Sequence, residues 1–294
     1  MNSATYSQAS GIGQPKRPRR MVIAEAIYRV RNRFPFDGYM DSVDDAYLQI
    51  SDVVQEYLAP GSTILDFGAG PCDKTAVLQE LGYRCFAYDD LADGWHLIDD
   101  NRKKILAFAQ QCGIEFRRAG KDDVFDEGVQ FDMMMMHAVL EHLHGSPRDL
   151  LNEFLRLVRP GGLLFITVPN AGNIRKRISL LMGGTNLPRF DLYYCYPGKW
   201  RGHVREYVRD DLVQLARFLD LEILRLTSCH FMLYKVPRSL RVAYLALTSV
   251  FEGWRDTWLL LARKRAGWKA RPSLPADEMK HMLGTYTGCK YEQA

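Results

Sequence analysis

The amino-acid sequence predicts an α/β fold built around a mostly parallel sheet. Between residues 61 and 170, short apolar runs alternate with helical stretches, and such alternation produces parallel sheets joined by right-handed crossovers. The run LLFITVP, residues 163–169, has no polar alternation, which indicates a strand buried on both faces. The chain is 47% hydrophobic and 25% charged, so its composition is that of a globular protein.

The first 20 residues are predicted to form a disordered basic tail. They contain four basic residues and no acid, while the 294-residue chain has a formal net charge of +4, so the rest of the chain is neutral in sum. A neutral body argues against a nucleic-acid partner. The tail lacks the apolar centre of a signal peptide, and no run of about 18 apolar residues predicts a membrane span.

The cysteines indicate the compartment. Six are scattered along the chain without a C-x-x-C pair or the spacing of a zinc site. Reduced thiols are typical of the cytoplasm. We therefore expect a cytoplasmic protein, with peripheral contact to the inner membrane face left open.

The elements follow one another in a regular order. Two helices are expected within residues 21–60, where apolar residues recur at helical spacing. The next strands and helices are STILDFG (62–68), KTAVLQELG (74–82), RCFAYDD (84–90), DDNRKKILAFAQQCG (99–113) and IEFRRA (114–119). They form the first half of one α/β domain, which we place at residues 61–265.

The second half of the domain carries two insertions, at about 171–205 and 229–255. The buried strand FDMMMM (131–136) is followed by a helix that Ser146 can cap and that Pro147 can open. The later elements are LLFITVP, a helix at 209–219, LEILRLTS (221–228), an amphipathic helix near 238–252 and DTWLLLARKR (256–265). Residues 266–294 are expected to be a loosely structured C-terminal tail.

The glycine turn ILDFGAGPCDK, residues 64–74, indicates the ligand. Gly68 and Gly70 allow a ligand to touch the backbone, but Asp73 stands where a dinucleotide-binding turn has its third glycine. Asp66 and Asp73 therefore suit a ligand with positive groups and no phosphate, such as S-adenosylmethionine. Asp89 ends the next strand, where it can accept hydrogen bonds from ribose hydroxyls. A nicotinamide dehydrogenase is disfavoured by Asp73.

Several motifs in order resemble those of the class I S-adenosylmethionine-dependent methyltransferases, in the style of ubiquinone-type O-methyltransferases and methyltransferases of polysaccharide clusters. They are ILDFGAGPC, CFAYDD, FDMMMMHAVLEHL, LLNEFLRLVRPGGLLFITVPN and GHVREYVRDDLVQLARFLDLEI, within about residues 60–228. The resemblance implies a Rossmann-like, seven-stranded, mostly parallel sheet with helices on both faces and an antiparallel last strand. It also implies S-adenosylmethionine as cofactor, held by Asp66, Gly68, Ala69, Gly70, Asp89, Asp90 and His137.

Methyl transfer also needs a base near the end of the fourth strand. His137 follows the four methionines, and His203 lies in the first insertion; both are predicted as catalytic or substrate-contacting residues. Glu141 and His142 are interpreted as packing or hydrogen-bonding residues. Some ubiquinone-type enzymes carry an acid where this chain has Ala138, so we predict no metal site.

The expected activity is methylation of a hydroxyl group on a small molecule, a sugar or a lipid-linked intermediate. A non-catalytic binding or scaffold protein, and a nitrogen or carbon acceptor, remain alternatives. The aromatic residues of the first insertion are candidates for a roof over the substrate: Tyr193, Tyr194, Tyr196 and Trp200. The helix near 238–252 is expected to pack its apolar face on the sheet; alternatively, that face shields the acceptor pocket or meets a membrane.

Overall fold

A computed structural model describes residues 18–120, 125, 128–271 and 274–287. Residues 1–17 of the predicted tail therefore lie outside the described residues. Two helices follow, α1 (Arg19–Arg31) and α2 (Asp44–Tyr57), so the first helix begins inside the segment predicted as tail. Both helices bury an apolar stripe, which explains why they form part of the body.

Seven strands form one sheet in the described part of the chain. They are β1 (Thr63–Phe67), β2 (Arg84–Asp89), β3 (Glu115–Arg118), β4 (Phe131–His137), β5 (Val158–Pro169), β6 (Leu221–Cys229) and β7 (Thr257–Lys264). Their order is β3-β2-β1-β4-β5-β7-β6. β7 runs antiparallel to both of its neighbours, and the other pairs are parallel. The predicted fold class is therefore confirmed.

The remaining helices are α3 (Asp73–Glu80), α4 (Gly94–Leu97), α5 (Asn101–Gln111), α6 (Pro147–Arg156), α7 (Ile174–Leu181), α8 (Phe190–Cys195), α9 (Arg209–Phe218), α10 (Arg241–Val250) and α11 (Ala276–Thr287). Helices α1, α2, α3 and α5 cover one face of the sheet, while α6 and α9 cover the other. None of the helices within the described ranges has both the length and the apolar character needed to span a membrane.

The four consecutive methionines of β4 fill the core, as the sequence predicts. All four side chains are completely buried. Met134 and Met136 pack on the side of α6, whereas Met133 and Met135 pack on the side of α2. The alternation follows from the two-residue period of a strand, and it leaves no methionine of this run at the surface.

The expected packing of α10 on the sheet is wrong. Thr248 is the only residue of this helix that is buried, while Val242, Leu247 and Val250 are exposed. The reason is that both faces of the sheet are already covered by other helices, so α10 lies outside the layers between the end of β6 and the start of β7.

The expectation of a loosely structured C-terminal tail also needs correction, because α11 occupies Ala276–Thr287. Residues 272–273 and 288–294 of that segment lie outside the described residues.

The carboxyl ends of β1, β2, β4, β5 and β6 meet at one edge of the sheet. Both insertions leave the sheet at this edge, which is where open α/β sheets bind their ligands.

Candidate active site

The turn between β1 and α3 requires glycine at two positions. Gly68 and Gly70 have φ of +73° and +51°, the left-handed region that favours glycine. A Cβ on Gly68 would lie 2.4 Å from Val139 Cγ2. The N–H of Gly68 donates to the Tyr88 carbonyl at 2.7 Å, and that of Gly70 donates to Asp89 Oδ2 at 2.8 Å. The turn is therefore fixed against the ends of β2 and β4.

The two acids after β2 have different surroundings. Asp89 Oδ1 accepts a hydrogen bond from the Leu91 N–H at 2.6 Å, and burial raises the pKa of Asp89 despite its backbone hydrogen bonds. Each of its oxygens has a further lone pair for a ribose hydroxyl. Asp90 is instead contacted by Arg201 of the first insertion. Asp89 thus lies at the glycine turn, beside the buried Ala69. Asp90 instead pairs with Arg201.

Two buried carboxylates lie beneath the turn. Asp66 Oδ2 accepts a hydrogen bond from the Thr75 hydroxyl at 2.5 Å, and burial raises the pKa of Asp66 to about 7. Asp73 Oδ2 accepts from the Tyr47 hydroxyl at 2.5 Å and from Lys74 Nζ at 3.2 Å. Asp73 Oδ1 is buried without a hydrogen-bond partner among the described atoms. Both acids are therefore buried and engaged by the protein, Asp73 by Tyr47 and Lys74 and Asp66 by Thr75.

His137 is the last residue of β4 and lies within the sheet layer. Its Nδ1 is 3.0 Å from the Thr167 hydroxyl, and its ring packs edge-on against Phe165. Because Met135 pairs with Asp66, His137 points to the same sheet face as Asp66. Burial lowers its pKa to about 3, and its Nε2 has no partner among the described atoms. His137 is therefore a buried, neutral imidazole.

A second polar group forms where the first insertion folds back onto the residues after β4. Glu141, His142 and His203 bring potential ligand atoms within 4.8 Å of one another. His203 Nδ1 lies 2.9 Å from Glu206 Oε1, and Lys176 forms an ion pair with the other oxygen of Glu206. Since Glu206 holds Nδ1, the Nε2 atom of His203 is the nitrogen left for a substrate proton.

Burial sets the protonation of this group. Both carboxyl oxygens of Glu141 are buried without a hydrogen-bond partner in the described structure, and burial raises its pKa to about 8. Burial and the neighbouring His142 lower the pKa of His203 to about 4. Near neutral pH, Glu141 is therefore protonated and His203 is neutral, which leaves a neutral base beside a protonated acid.

The insertion is anchored on the donor side of the site. The Val204 N–H donates to the Glu141 carbonyl at 2.7 Å, and His142 Nδ1 lies 2.7 Å from the Arg201 carbonyl. Glu141 and His142 follow Val139, whose side chain lies against the glycine turn. The polar group around His203 consequently adjoins that turn. His137 contacts Thr167, whereas His203 contacts Glu206, so the two histidines do not form one catalytic pair.

Three of the four predicted roof residues pack together. Trp200 contacts Tyr193 and Tyr196 edge-on, with ring centroids 5.3 and 5.2 Å apart. A Cβ on Gly94 would lie 3.3 Å from the Tyr196 hydroxyl, which places this aromatic cluster over the loop after β2. Tyr194 contacts Phe190 instead, and both Tyr193 and Tyr194 are exposed.

Several polar residues of the site were not predicted from the sequence. Tyr47 and Lys74 contact Asp73, while Lys176 and Glu206 complete the group around His203. The spacing of His203 and Glu206 was a usable signal, because residues three apart can meet in a turn. No sequence pattern near His203 predicts Lys176, whose side chain reaches this group from α7.

Glu141, His142 and His203 are also the residues that could hold a divalent metal ion. The sequence predicts no metal site, and Lys176 adds a positive charge that acts on Glu141 and opposes a cation there. The absence of a metal remains a prediction.

Comparisons with known proteins agree with this arrangement. A family model described as "Methyltransferase domain" matches residues 41–226. A ubiquinone biosynthesis O-methyltransferase of Caulobacter vibrioides is 27% identical over 113 residues, which are 37% of this chain and 42% of that protein. An uncharacterized methyltransferase of Mycobacterium sp. (strain KMS) is 28% identical over 158 residues, 51% of this chain and 58% of that protein. The chain thus spans about half the length of these curated relatives.

Solved structures share the fold. One is a Haloferax volcanii complex between the Trm112 methyltransferase activator and a methyltransferase candidate. A chain of that complex has a TM-score of 0.50 at 14% identity, and the match covers 84% of this chain and 97% of that one. The [4+2]-cyclase SpnF also has a TM-score of 0.50, at 15% identity, with 84% and 94% covered. Because identity is low, these matches show the fold alone.

The strand order and the glycine turn define a Rossmann-like protein of the class I S-adenosylmethionine-dependent methyltransferase superfamily. Because its family model matches more than half of the chain, the protein belongs to the methyltransferase domain family. The predicted enzyme class and the predicted cofactor, S-adenosylmethionine, are those of this family.

Proposed function

We propose that this protein is a methyltransferase that methylates a hydroxyl oxygen of a small molecule, a sugar or a lipid-linked intermediate. The observation that supports it most is the pair of His203 and Glu206, joined at 2.9 Å. A hydroxyl is a poor nucleophile until a base takes its proton, whereas a neutral amine already carries a reactive lone pair. A neutral imidazole held by a carboxylate therefore favours an oxygen acceptor.

The described residues fit S-adenosylmethionine as the donor. Asp89 is an acceptor for ribose hydroxyls at the end of β2, and the positive φ at Gly68 and Gly70 allows close backbone approach of the donor. Bound there, S-adenosylmethionine would supply a methyl group that the sulfonium already activates for transfer.

The chain itself would then orient the acceptor and move one proton. The hydroxyl proton passes to Nε2 of His203 as the oxygen becomes methylated. The Glu206 carboxylate holds Nδ1 at 2.9 Å, and its charge partly offsets the burial that lowers the pKa of His203, because a nearby opposite charge favours the charged form. The aromatic cluster around Trp200 would cover the acceptor and keep water away.

Two alternatives come from other classes. A [4+2]-cyclase shares this fold, so the fold alone does not establish methyl transfer. A scaffold would bind the cofactor without turnover. A methyltransferase that acts on a neutral amine would not need the His203 base for attack, whereas a carbon acceptor would need a base to remove a carbon-bound proton. A cytoplasmic location is part of the proposal; it is supported by the five free cysteines among the described residues.

The test combines binding and turnover. Isothermal titration with S-adenosylmethionine measures donor binding, and release of S-adenosylhomocysteine is followed with catechols and alkyl glycosides beside matched amines. Methylation of the hydroxyl compounds, and its loss in His203→Ala, supports the proposal. Donor binding without turnover on either panel would favour the scaffold, and turnover on amines alone would overturn the oxygen acceptor.

A further inference from the structure

The two insertions at the carboxyl edge of the sheet expose an unusual amount of apolar surface. They comprise residues 171–205 and 229–255, and together we call them the edge surface. Of the 30 large apolar side chains exposed in the described part of the chain, 17 belong to the edge surface. Leu181, Met182 and Val242 each expose at least 80% of their area. Contiguous apolar exposure of this kind marks a binding surface.

The two insertions lie side by side. The Asn170 side chain, at the start of the first insertion, donates hydrogen bonds to the carbonyls of Gly253 and Arg255 at 2.8 and 2.7 Å. Arg175 of α7 lies within electrostatic reach of Tyr244 of α10. The apolar residues of α7 and α10 therefore belong to one surface.

Helix α10 is held to the body by polar contacts, which leaves its apolar face free. Thr248 is its one buried residue, and the Thr248 hydroxyl lies 3.0 Å from His230 Nε2. The other ring nitrogen of His230 lies 3.1 Å from Asp256. This chain of contacts fixes the helix without using its leucines and valines.

The edge surface is also strongly basic. Its two segments contain 11 lysines and arginines and only two acids, a formal charge of +9 in a chain of net charge +4. Three of these cations, Lys176, Arg201 and Arg205, pair with acids outside the edge surface, which leaves +6. The first 20 residues carry a further +4, so the remainder of the chain sums to −9. The zero net charge of residues 21–294 therefore combines two opposite charges, one on the edge surface and one on the remainder. The positive one coincides with the exposed apolar residues.

We propose that the edge surface binds an anionic lipid bilayer. Apolar side chains that insert at the headgroup boundary and basic side chains that attract anionic lipids are the two components of interfacial binding. Exposed aliphatic residues such as Leu181 and Val242 have no favourable contact with nucleic acid, which favours lipid over RNA. A second copy of this chain is disfavoured as well, because a symmetric contact would bring two basic surfaces together, each with a charge of +6 after its ion pairs are counted.

This orientation would place His203 on the side of the protein that faces the bilayer, since His203 belongs to the first insertion. The inference concerns where the protein binds and not which reaction it performs. It therefore goes beyond the proposed function and does not depend on it.

The experiment measures co-sedimentation of the full chain with vesicles, without methyl donor or acceptor. Vesicles of phosphatidylcholine alone are compared with vesicles that also contain phosphatidylglycerol. We expect binding to the anionic vesicles, weakened by added salt. The double variant Leu181→Asp, Val242→Asp should bind at least about tenfold more weakly, and so should Arg238→Glu.

Matched controls lie outside the edge surface. Phe218→Asp changes an exposed apolar residue at the end of α9, and Arg156→Glu reverses an exposed charge at the end of α6. Both should bind anionic vesicles like the parent protein, and circular dichroism checks that every variant is folded. Absence of binding by the parent protein, equal losses in the controls, stronger binding to RNA than to vesicles, or a dimer that buries the edge surface would each overturn the proposal. A failure to transfer methyl groups would leave vesicle binding unaffected.

Discussion

Arg201 joins the first insertion to the end of β2, because its Nη2 lies 2.7 Å from each carboxylate oxygen of Asp90. Asp90 directly follows the predicted ribose-binding Asp89. Burial opposes ionisation of Asp90, but Arg201 outweighs it and the pKa of Asp90 is lowered. The ion pair thus connects the donor side of the site to the segment that carries His203.

Replacing Arg201 with alanine should impair turnover more than stability. The ion pair is about one-third exposed, so its loss should change the free energy of unfolding by at most about 1 kcal/mol. Turnover should fall roughly tenfold or more, because small displacements of a catalytic group are costly. Arg205→Ala is the matched control, since Arg205 pairs with Asp211 on α9. Equal kcat values in the two variants would contradict the anchoring role of Arg201.

Asp89→Ala should weaken binding of S-adenosylmethionine by about 2–3 kcal/mol, since it removes a charged acceptor from two ribose hydroxyls. Isothermal titration measures the change. Asp90→Asn serves as the control, because its carboxylate is engaged by Arg201 and its loss should have little effect on donor affinity. If Asp89→Ala binds the donor as tightly as the parent protein, Asp89 does not hold the ribose.

The donor side of the site could be predicted from the sequence because it is local. Gly68 and Asp89 each follow a strand, and the ends of neighbouring parallel strands necessarily meet at one edge. The acceptor side could not, because Glu141 and His203 are far apart in the chain. They meet only through long-range contacts such as that between Val204 and Glu141.

The position of α10 shows a second limit. An amphipathic helix has the same periodicity whether its apolar face is buried by a sheet or left exposed. What decides between the two is whether other helices already cover the sheet, and this depends on the whole topology. Sequence periodicity therefore predicted the helix but not its environment.

Stability should depend on pH through Asp66. Burial raises its pKa from 3.8 to about 7, so in this range the folded state holds a proton that the unfolded state has lost. The protonated carboxyl group stabilises the folded state fully below pH 3.8, and this stabilisation is lost as the pH rises to about 7. Over that range the free energy of unfolding should fall by up to about 1.4 kcal/mol per pH unit. Asp66→Asn should make this slope shallower in urea unfolding across that range, and the remaining slope comes from groups such as Glu141, whose pKa burial also raises. The exposed Asp37→Asn should leave the slope unchanged. Parallel pH profiles for the parent protein and Asp66→Asn would be inconsistent with a raised pKa.

Chelation should leave turnover unchanged. Lys176 places a positive charge near Glu141, and His203 Nδ1 is held by Glu206, so we expect proton transfer at this group without a metal. Dialysis against EDTA followed by a turnover assay checks this expectation, and metal analysis of the purified protein accompanies it. Activity that is lost on dialysis and restored by Mg²⁺ or Zn²⁺ would assign Glu141, His142 and His203 as metal ligands.

The two predicted catalytic histidines can be separated by their effects. His203→Ala should lower kcat by about 10²- to 10⁴-fold, the usual contribution of a general base, with donor affinity unchanged. Glu206→Gln should give a smaller loss, because the imidazole keeps a partner but loses its stabilising charge. Since burial lowers the pKa of His203 to about 4, the base is neutral above that pH, and turnover should stay level from mildly acidic to neutral pH.

His137 should behave differently because its ring is enclosed between Thr167 and Phe165. His137→Asn preserves a hydrogen-bonding side chain at the Thr167 hydroxyl but leaves part of the ring volume empty, so it should lower the melting temperature. The folded fraction should retain a kcat close to that of the parent protein, because Nδ1 is engaged and the ring lies inside the sheet layer. The turnover of His137→Asn and His203→Ala shows which of the two histidines is the base. If His137→Asn abolishes turnover in the folded protein while His203→Ala does not, the unpaired Nε2 of His137 is the base, and the first insertion serves only to cover the acceptor.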